Sequence, residues 1–441
     1  MTRRELFLSA GMAAGFGRLG LINARAQAAA DYKALVCVFL FGGNDGVNTV
    51  VPLDAAGYQA YAAGRGSLAL PANMLVPVPQ ASGGAYGLHP SLDALAPLWT
   101  QRRMAIVANV GMLVRPLTRQ EYRAGGAPVP RNLFSHSDQQ QQWQTAAPLQ
   151  SPGTGWGGRA ADRLHVLNAG SSFPMALSVS GGAIFGVGQA TQPTTIVPGS
   201  NMALEGSDGT PAAEARDAAL QEILLFPSSL ILMQEANARL TDGVRVGKLI
   251  SGAIGSSTPL STAFPDTGLG RQLRQVAQVI QVRQELGMRR QIFFCSMGGY
   301  DTHTAQLGTH AALLRQLGDA LAAFYNATQE LGVGGQVTTF TQSEFGRTFQ
   351  PSQGAGTDHA WGSPQFVLGG AVRGGAAYGR FPELAMQGPD DSGNRGSWIP
   401  SVSLDQYGAT LARWFGVRDA DLNGVFPNLV NFPTRDLGLL A

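Results

Sequence analysis

Three of the six histidines in this chain lie in short segments that also contain serine, aspartate or glutamate: His136, His303 and His359. Mixed histidine and carboxylate ligands suit Zn²⁺, Mn²⁺ and related divalent ions. The clearest pair is in GGYDTHTAQ, residues 298–306, where Asp301 and His303 are two residues apart. If this segment is extended, both side chains point to the same side and can bind one cation. The alternative is that Asp301 caps the next helix and His303 is a surface residue.

Two more polar segments follow apolar runs. In FGGNDGVNT the glycines permit a sharp turn that aims Asp45 over the end of a strand, although an Asn-Asp-Gly turn needs no ligand. In TQSEFGRT, Glu344 is a candidate ligand and Arg347 a candidate anion-binding residue. A simple salt bridge between Glu344 and Arg347 is the alternative.

Two loop segments add further candidates. GTDHAWGS places Asp358 beside His359 in a glycine-rich loop, where functional and ordinary polar residues both occur. In NLFSHSDQQQQW, residues 132–143, Ser135 or Ser137 precedes a helix whose dipole favours an anion or an alkoxide, and His136 lies between them. Capping of the helix also explains either serine.

Six β-rich runs are available to position these side chains, at residues 34–41, 103–110, 175–180, 291–297, 336–342 and 365–370. Most are continuously apolar, as expected of strands that are buried on both faces. Helical patterns at 91–103, 269–280 and from 306 onward alternate with them, which predicts an α/β fold with a parallel sheet and helices on both faces. His310 falls on an apolar stripe of the last helix and is expected to face the core. Ligands of such sheets bind beyond the carboxyl ends of the strands.

The middle of the chain has a different composition. Residues 181–210 and 243–268 are rich in Gly, Ser, Thr and Pro, and a helical stretch at 211–240 separates them. We therefore predict one domain, residues 29–441, with an insertion or cap at about 181–268.

Residues 1–28 have the features of a twin-arginine export signal: Arg3 and Arg4, a weakly apolar stretch and small residues near Ala28. A short membrane anchor is the alternative, but four glycines and Arg18 interrupt the apolar stretch. The twin-arginine translocase is thus an expected partner, the location is expected to be periplasmic or extracellular, and no later segment predicts a stable membrane span.

Charge and cysteine content narrow the function classes further. The full chain has a net charge of +2, of which residues 1–28 contribute +3, so the remainder carries −1 and no nucleic-acid partner is implied. Cys37 and Cys295 both lie in apolar runs, where they are either buried thiols or a disulfide between neighbouring strands.

The motifs FGGNDGVNTVVP, SH before a Gln-rich helix start, GGYDTH, SEFGRT and GTDH, behind a twin-arginine signal, resemble an exported bacterial family of unknown function. That family is grouped with the alkaline phosphatase and sulfatase superfamily. The resemblance implies a three-layer sandwich with a central, mostly parallel sheet and a metal centre at the strand ends. By position, Ser135 corresponds to the nucleophile, and four residues correspond to metal ligands: Asp45, Asp301, His303 and His359.

The sequence departs from the superfamily at Glu344, which is followed by Phe345 where an Asp-His pair is usual. The spacing from Asp301 to His303 is also shorter than usual. One cation, or an altered site, is therefore expected in place of a two-metal clamp.

These observations predict a hydrolase acting on a phosphate or sulfate ester of a small molecule or glycan, with a divalent ion (Zn, Mn, Mg or Ca) as its cofactor. Glu344 and Asp358 are further candidate ligands, Ser135 or a water molecule would attack, and Arg347 or His136 would stabilise the developing charge. The alternative is a degenerate superfamily member that binds an envelope glycan or a partner protein. An oxidoreductase with an organic cofactor is disfavoured because GGNDG is not a dinucleotide-binding fingerprint.

Overall fold

The computed structural model describes residues 31–80, 83–199, 210–227 and 229–441. The twin-arginine signal predicted at residues 1–28 lies outside these described residues.

The main sheet contains nine strands in the order β11-β5-β10-β9-β1-β8-β6-β7, with β12 pairing beside β5. A small antiparallel sheet has the order β2-β4-β3. The strands are β1 (Lys33–Leu40), β2 (Val50–Pro52), β3 (Val76–Pro79), β4 (Ala85–Leu88), β5 (Met104–Gly111), β6 (Ala176–Ser178), β7 (Thr194–Thr195), β8 (Arg290–Met297), β9 (Val337–Ser343), β10 (Ser363–Gly369), β11 (Ala376–Tyr378) and β12 (Val402–Ser403).

The six β-rich runs predicted from sequence are confirmed as β1, β5, β6, β8, β9 and β10. The sheet is mostly parallel, because only β10 runs against its neighbours β5 and β9 among the described strands. A parallel return would need a crossover that usually contains a helix, whereas the connection from β9 to β10 contains none. The start of β10 therefore lies at the same edge of the sheet as the end of β9.

Helices cover both faces of this sheet. They are α1 (Gly46–Thr49), α2 (Ala55–Arg65), α3 (Ala96–Thr100), α4 (Arg119–Ala124), α5 (His136–Thr145), α6 (Trp156–Leu164), α7 (Pro211–Leu224), α8 (Ile231–Gly255), α9 (Gly268–Gln281), α10 (Gln306–Glu330), α11 (Leu404–Phe415) and α12 (Leu422–Val425). Helix α9 packs on α10 and β8, whereas α11 packs on α12, β1 and β5. Because side chains alternate between faces, the complete burial of β5 and β8 means that neither face is open to solvent.

Two helix predictions need correction. The stretch predicted at 91–103 begins as a 3₁₀ turn over Pro90–Leu95, and α3 ends at Thr100. The stretch predicted at 211–240 is two helices that break near Pro227, and α8 continues to Gly255 into the segment rich in Gly, Ser, Thr and Pro. Buried side chains on α8, including Val246 and Ile250, stabilise this extension despite its glycines.

Cys37 and Cys295 are free, buried thiols in the adjacent strands β1 and β8. Burial raises the pKa of both thiols, so they behave as small apolar side chains. In the described part of the chain, no helix combines the length and the apolar character needed to cross a bilayer.

Asp405, in the first turn of α11, is a fully buried carboxyl group whose Oδ2 has no hydrogen-bond partner. Burial raises its pKa to about 7, against the opposing backbone N–H of Asn428. The folded state therefore favours the protonated form, so this group stabilises the fold most below its unfolded pKa and loses that contribution as the pH rises toward 7. We expect Asp405→Asn to raise the free energy of unfolding at pH 8 by up to about 4 kcal/mol and to change little at pH 4.

Urea unfolding at the two pH values measures this effect. Asp391→Asn is a matched control, because each oxygen of the buried Asp391 accepts two backbone N–H groups. Oδ2 accepts from Gln387 and Gly396, and Oδ1 accepts from Gly393 and Ser397. An amide would present a donor to those N–H groups, so this control is expected to destabilise the protein. Equal destabilisation by both substitutions at pH 8 would contradict the assignment of Asp405.

Candidate cation site

The predicted polar segments meet at one edge of the main sheet. Strands β1, β8 and β9 are adjacent and parallel, so their carboxyl ends lie together. Glu344 directly follows β9, and Asp301 follows β8 after three residues. His359 precedes β10, whose antiparallel direction brings its start to this same edge. His136 begins α5 in the connection that follows β5. This is the edge at which ligands of parallel sheets bind.

Asp301, His303 and His359 form a close triangle. Nε2 of His303 is 3.0 Å from Oδ1 of Asp301, and Nε2 of His359 is 3.2 Å from the same oxygen. The two Nε2 atoms are 3.1 Å apart. The convergence of Asp301 with His303 is therefore present, and helix capping does not explain it: the cap residue of α10 is Ala305 and makes no side-chain capping bond.

A third histidine, His136, faces the other oxygen of the same carboxylate. Its Nε2 is 3.5 Å from Oδ2 of Asp301, and its ring lies 4.4 Å from that of His359 between centroids. His136, Asp301 and His359 can each offer a ligand atom within 4.8 Å of the others. The sequence predicts that His136 stabilises developing charge, whereas its position is that of a fourth candidate ligand.

All three histidines have Nδ1 beside an oxygen that only accepts hydrogen bonds. These oxygens are Phe134 O for His359 at 2.8 Å, Asp358 Oδ1 for His303 at 3.1 Å and Glu344 Oε1 for His136 at 2.8 Å. In the neutral ring, Nδ1 must then carry the proton and Nε2 the lone pair. Burial lowers the pKa of His359, which favours this neutral form. Histidines that bind metals usually donate their second N–H to such a carboxylate or carbonyl.

The consequence is that three Nε2 lone pairs face the Asp301 carboxylate, those of His303 and His359 at Oδ1 and that of His136 at Oδ2. Two Nε2 lone pairs at 3.1 Å repel each other and the Asp301 oxygen unless a positive charge lies between them. The donor set of three imidazoles and one carboxylate fits a divalent cation.

Arg347 holds Asp301 in place. Its fully buried guanidinium donates to Oδ1 of Asp301 at 2.9 Å, to the carbonyl of Gly42 at 2.8 Å and to Thr357. Burial raises the pKa of Asp301, but Arg347 and the neighbouring histidines lower it overall. Among the described ion pairs the carboxylate partner of Arg347 is Asp301, not Glu344. Because its N–H groups are engaged and buried, Arg347 orients a ligand and is poorly placed to bind a substrate anion.

Glu344 and Asp358, both predicted as ligands, lie behind the histidines. Glu344 is buried, accepts from the backbone N–H of Gly42 and contacts His136. Asp358 contacts His303 and accepts from Arg395. Burial raises the pKa of Asp358, and Arg395 and His303 lower it overall. Both carboxylates are therefore placed to orient imidazole rings.

The structure does not bring Asp45 into this cluster. Asp45 caps α1 by accepting from the N–H groups of Val47 at 3.2 Å and Asn48 at 3.3 Å, and its other oxygen accepts from Arg65 and Gln306. Burial raises the pKa of Asp45, but the charged and hydrogen-bonding neighbours lower it by more, so the pKa is lowered overall. Arg65 is the neighbour with the largest effect. The ion pair, in which both side chains are fully buried, supplies a partner that the sequence motif did not reveal.

Ser135 occupies the cap position of α5, yet its side chain makes no capping bond. Its Oγ donates to Oδ2 of Asp138 at 2.7 Å and lies 3.3 Å from Oγ of Ser137. The preceding Phe134 has φ +77°, an uncommon conformation for a bulky residue. Its carbonyl oxygen accepts from Nδ1 of His359. This short loop therefore links the predicted nucleophile position to the cluster.

Glycine is required where two site loops approach each other closely. Gly42 has φ +107°, and a Cβ there would lie 2.3 Å from the backbone nitrogen of Asp301. A Cβ at Gly356 would lie 2.1 Å from the carbonyl carbon of His303. His310 is a core residue as predicted: it is buried, it contacts Asn44 at 2.9 Å, and burial lowers its pKa to about 3.

No curated protein matches this chain. Among solved structures, the sulfatase PsFucS1 from Pseudoalteromonas sp. is 10% identical, with a TM-score of 0.35 over 91% of this chain and 70% of that one. The phosphonate monoester hydrolase of Agrobacterium radiobacter is 10% identical, with a TM-score of 0.29 over 83% of this chain and 76% of that one. Similarities with such low TM-scores carry no argument about fold or activity.

The family comparison is stronger. A family model described as "Protein of unknown function (DUF1501)" matches residues 32–393, which include every residue of the cation cluster. The prediction of membership in a family of unknown function is thereby confirmed. This chain belongs to the DUF1501 family.

Proposed function

We propose that this protein is a hydrolase that depends on one divalent cation and acts on a phosphate or sulfate ester of a small molecule or glycan. The observation that carries the proposal is the convergence of three Nε2 atoms on Asp301, each histidine being anchored through Nδ1. The proposal includes export through the twin-arginine pathway to the periplasm or beyond, and a cap formed by about residues 181–268.

The donor set favours a particular class of cation. Three imidazoles and one carboxylate suit Zn²⁺, Mn²⁺ or a related transition metal, whereas Mg²⁺ and Ca²⁺ prefer sites made of oxygen ligands. We therefore place Zn²⁺ and Mn²⁺ ahead of the other two ions that the sequence left open.

When bound, such an ion would polarise an ester oxygen and offset the charge that develops on it. Asp301 and the three histidines would hold it, and Arg347 would fix the orientation of Asp301. The side chains of Asp301 and His303 are each 43% exposed, so the centre is open to a substrate from solvent.

Ser135 remains our candidate for the nucleophile, because its Oγ lies 2.7 Å from Oδ2 of Asp138, which can accept the hydroxyl proton. The hydrogen bond from Ser135, with that from Asn132, lowers the pKa of Asp138 and keeps it an acceptor.

A screen of aryl phosphate, phosphonate and sulfate esters tests this proposal. The chelated full chain is reloaded with Zn²⁺, Mn²⁺, Mg²⁺ or Ca²⁺, and product release is followed. We expect turnover with a transition metal, a loss of about 100-fold or more in Ser135→Ala, and little change in the Ser137→Ala control. Cation binding without release of any product would contradict the hydrolase.

The alternative function is a degenerate member of the superfamily that binds an envelope glycan or a partner protein. Its support is that Asp45 and Glu344, which the resemblance or the sequence offered as ligands, contact Arg65 and His136 instead. Glycan binding that persists after chelation, with no turnover on the ester panel, would favour this alternative.

A further inference from the structure

Gln306, the first residue of α10, connects the loops that carry the cation ligands to the buried Asp45. We propose that Gln306 is a positioning residue. It connects the Arg65–Asp45 ion pair to Arg347 through hydrogen bonds and so fixes the orientation of Asp301. The proposal rests on the cation site proposed above. It assigns a role to a residue that no sequence motif indicated.

The amide of Gln306 has three side-chain partners and is fully buried. Its Nε2 donates to Oδ2 of Asp45. Its Oε1 accepts from the hydroxyl of Thr302 at 3.1 Å and from that of Thr357. Thr302 lies between Asp301 and His303 in the chain, whereas Thr357 immediately precedes Asp358. One amide group therefore binds both ligand-bearing loops.

The direction of each hydrogen bond in the series from Asp45 to Asp301 is fixed. An ionised Asp45 only accepts, so Gln306 must present its NH₂ group to Asp45 and its oxygen to the threonines. The hydroxyl of Thr357 then donates to Gln306 and accepts from Nε of Arg347 at 3.0 Å. Arg347 in turn donates to Asp301 at 2.9 Å. The ionised Asp45 thus determines which group donates and which accepts at each step up to the proposed metal ligand Asp301.

At the other end of this series of hydrogen bonds, Asp45 is held by the well-anchored side chain of Arg65. Arg65 donates to Asp45, to the carbonyls of Thr348 at 3.0 Å and Phe349 at 2.9 Å, and to Asn48 at 3.1 Å. Because Arg65 and Asp45 are completely buried, water does not compete for these contacts.

Backbone contacts show why side-chain positioning is needed here. The cap residue of α10, Ala305, has φ +46° and makes no side-chain capping bond, so the first turn of the helix depends on tertiary contacts. The N–H of Gln306 donates to Ala355 at 3.0 Å, and the N–H of Thr357 donates to Thr302 at 3.0 Å. The Gln306 side chain adds the contact that joins this paired structure to Asp45.

The substitution Gln306→Glu tests polarity with almost no change in size. A carboxylate at 306 cannot donate to Asp45 and would place two buried acceptors together. Gln306→Met is a second variant, of similar length but without a donor or an acceptor. It removes all three hydrogen bonds of the amide and adds no charge beside Asp45.

The experiment uses the full chain loaded with Co²⁺, a spectroscopic substitute for the native ion. The dissociation constant is measured by competition, and the visible d–d spectrum reports ligand geometry. We expect Gln306→Glu to weaken binding by about 10- to 100-fold and to alter the spectrum, as loss of an outer partner does. Gln306→Met should weaken binding and alter the spectrum as well. Gln275→Glu, at another buried glutamine that contacts Gly199, should leave both unchanged.

Each outcome decides between the two proposals. A wild type that binds no cation overturns the site and this inference with it. A wild type that binds, beside a folded Gln306→Glu variant with the same affinity and spectrum, overturns only the role of Gln306. If Gln306→Glu does not fold, Gln306→Met decides: weaker binding with an altered spectrum supports the role, and wild-type affinity with a wild-type spectrum contradicts it.

Discussion

The double variant Asp301→Ala, His303→Ala is expected to bind its cation at least about 100-fold more weakly than the wild type, more than is lost with an outer partner alone. It removes the carboxylate that both Nε2 atoms contact and one of the three imidazoles. Two histidines cannot then complete the four ligands that a site of this kind needs. The metal content of purified protein, measured by mass spectrometry, gives the result directly.

His165→Ala is the control for this experiment. His165 is an exposed histidine whose Nδ1 lies 2.8 Å from the backbone oxygen of Asp162, away from the cluster. It should retain about one ion per chain. Equal metal content in the control and the double variant would show that the ion binds elsewhere.

Arg65→Met should lower the free energy of unfolding by about 3–5 kcal/mol, because it leaves the buried carboxylate of Asp45 without its ion-pair partner. Three further hydrogen bonds, to Asn48 and to the carbonyls of residues 348 and 349, are lost at the same time. Urea unfolding of the full chain at pH 7 measures the loss.

Arg315→Met provides the comparison. Arg315 pairs with Asp93, and their side chains are 44% and 57% exposed, so its removal should cost about 0–1 kcal/mol. A second test is Asp45→Asn combined with Arg65→Met, which removes the uncompensated charge and should recover part of the loss. If Arg65→Met were no more destabilising than Arg315→Met, the buried pair would have no structural importance.

The architecture could be predicted because continuous apolar runs are a strong signal of buried strands. The direction of β10 could not, since it depends on the connection from β9 lacking a helix. The helix break near Pro227 and the extension of α8 to Gly255 depend on tertiary burial of residues such as Val246 and Ile250, which competes with local composition.

The site was predicted in part. Asp301, His303 and His359 converge as their positions after strands suggested. The positions of Glu344 and Asp358 beside Nδ1 atoms were not foreseeable, because a sequence does not say whether a carboxylate faces the Nε2 or the Nδ1 side of a histidine.

Arg65, Gln306 and Arg395 were missed for a different reason. Arg65 ends α2, Gln306 begins α10, and Arg395 lies in the loop that Asp391 organises through backbone N–H groups. Each acts through a partner that is distant in the chain, as with Gln306 and Asp45, which are 261 residues apart. No local spacing pattern could indicate such a contact.

The most direct test of the central claim is a crystal structure of the Zn²⁺-loaded protein with anomalous data collected at the zinc edge. The account predicts one anomalous peak about 2.0–2.2 Å from Nε2 of His136, His303 and His359 and from a carboxylate oxygen of Asp301. It also predicts that Asp45 remains paired with Arg65. The absence of a peak at this cluster, or a peak bound by Asp45, would contradict it.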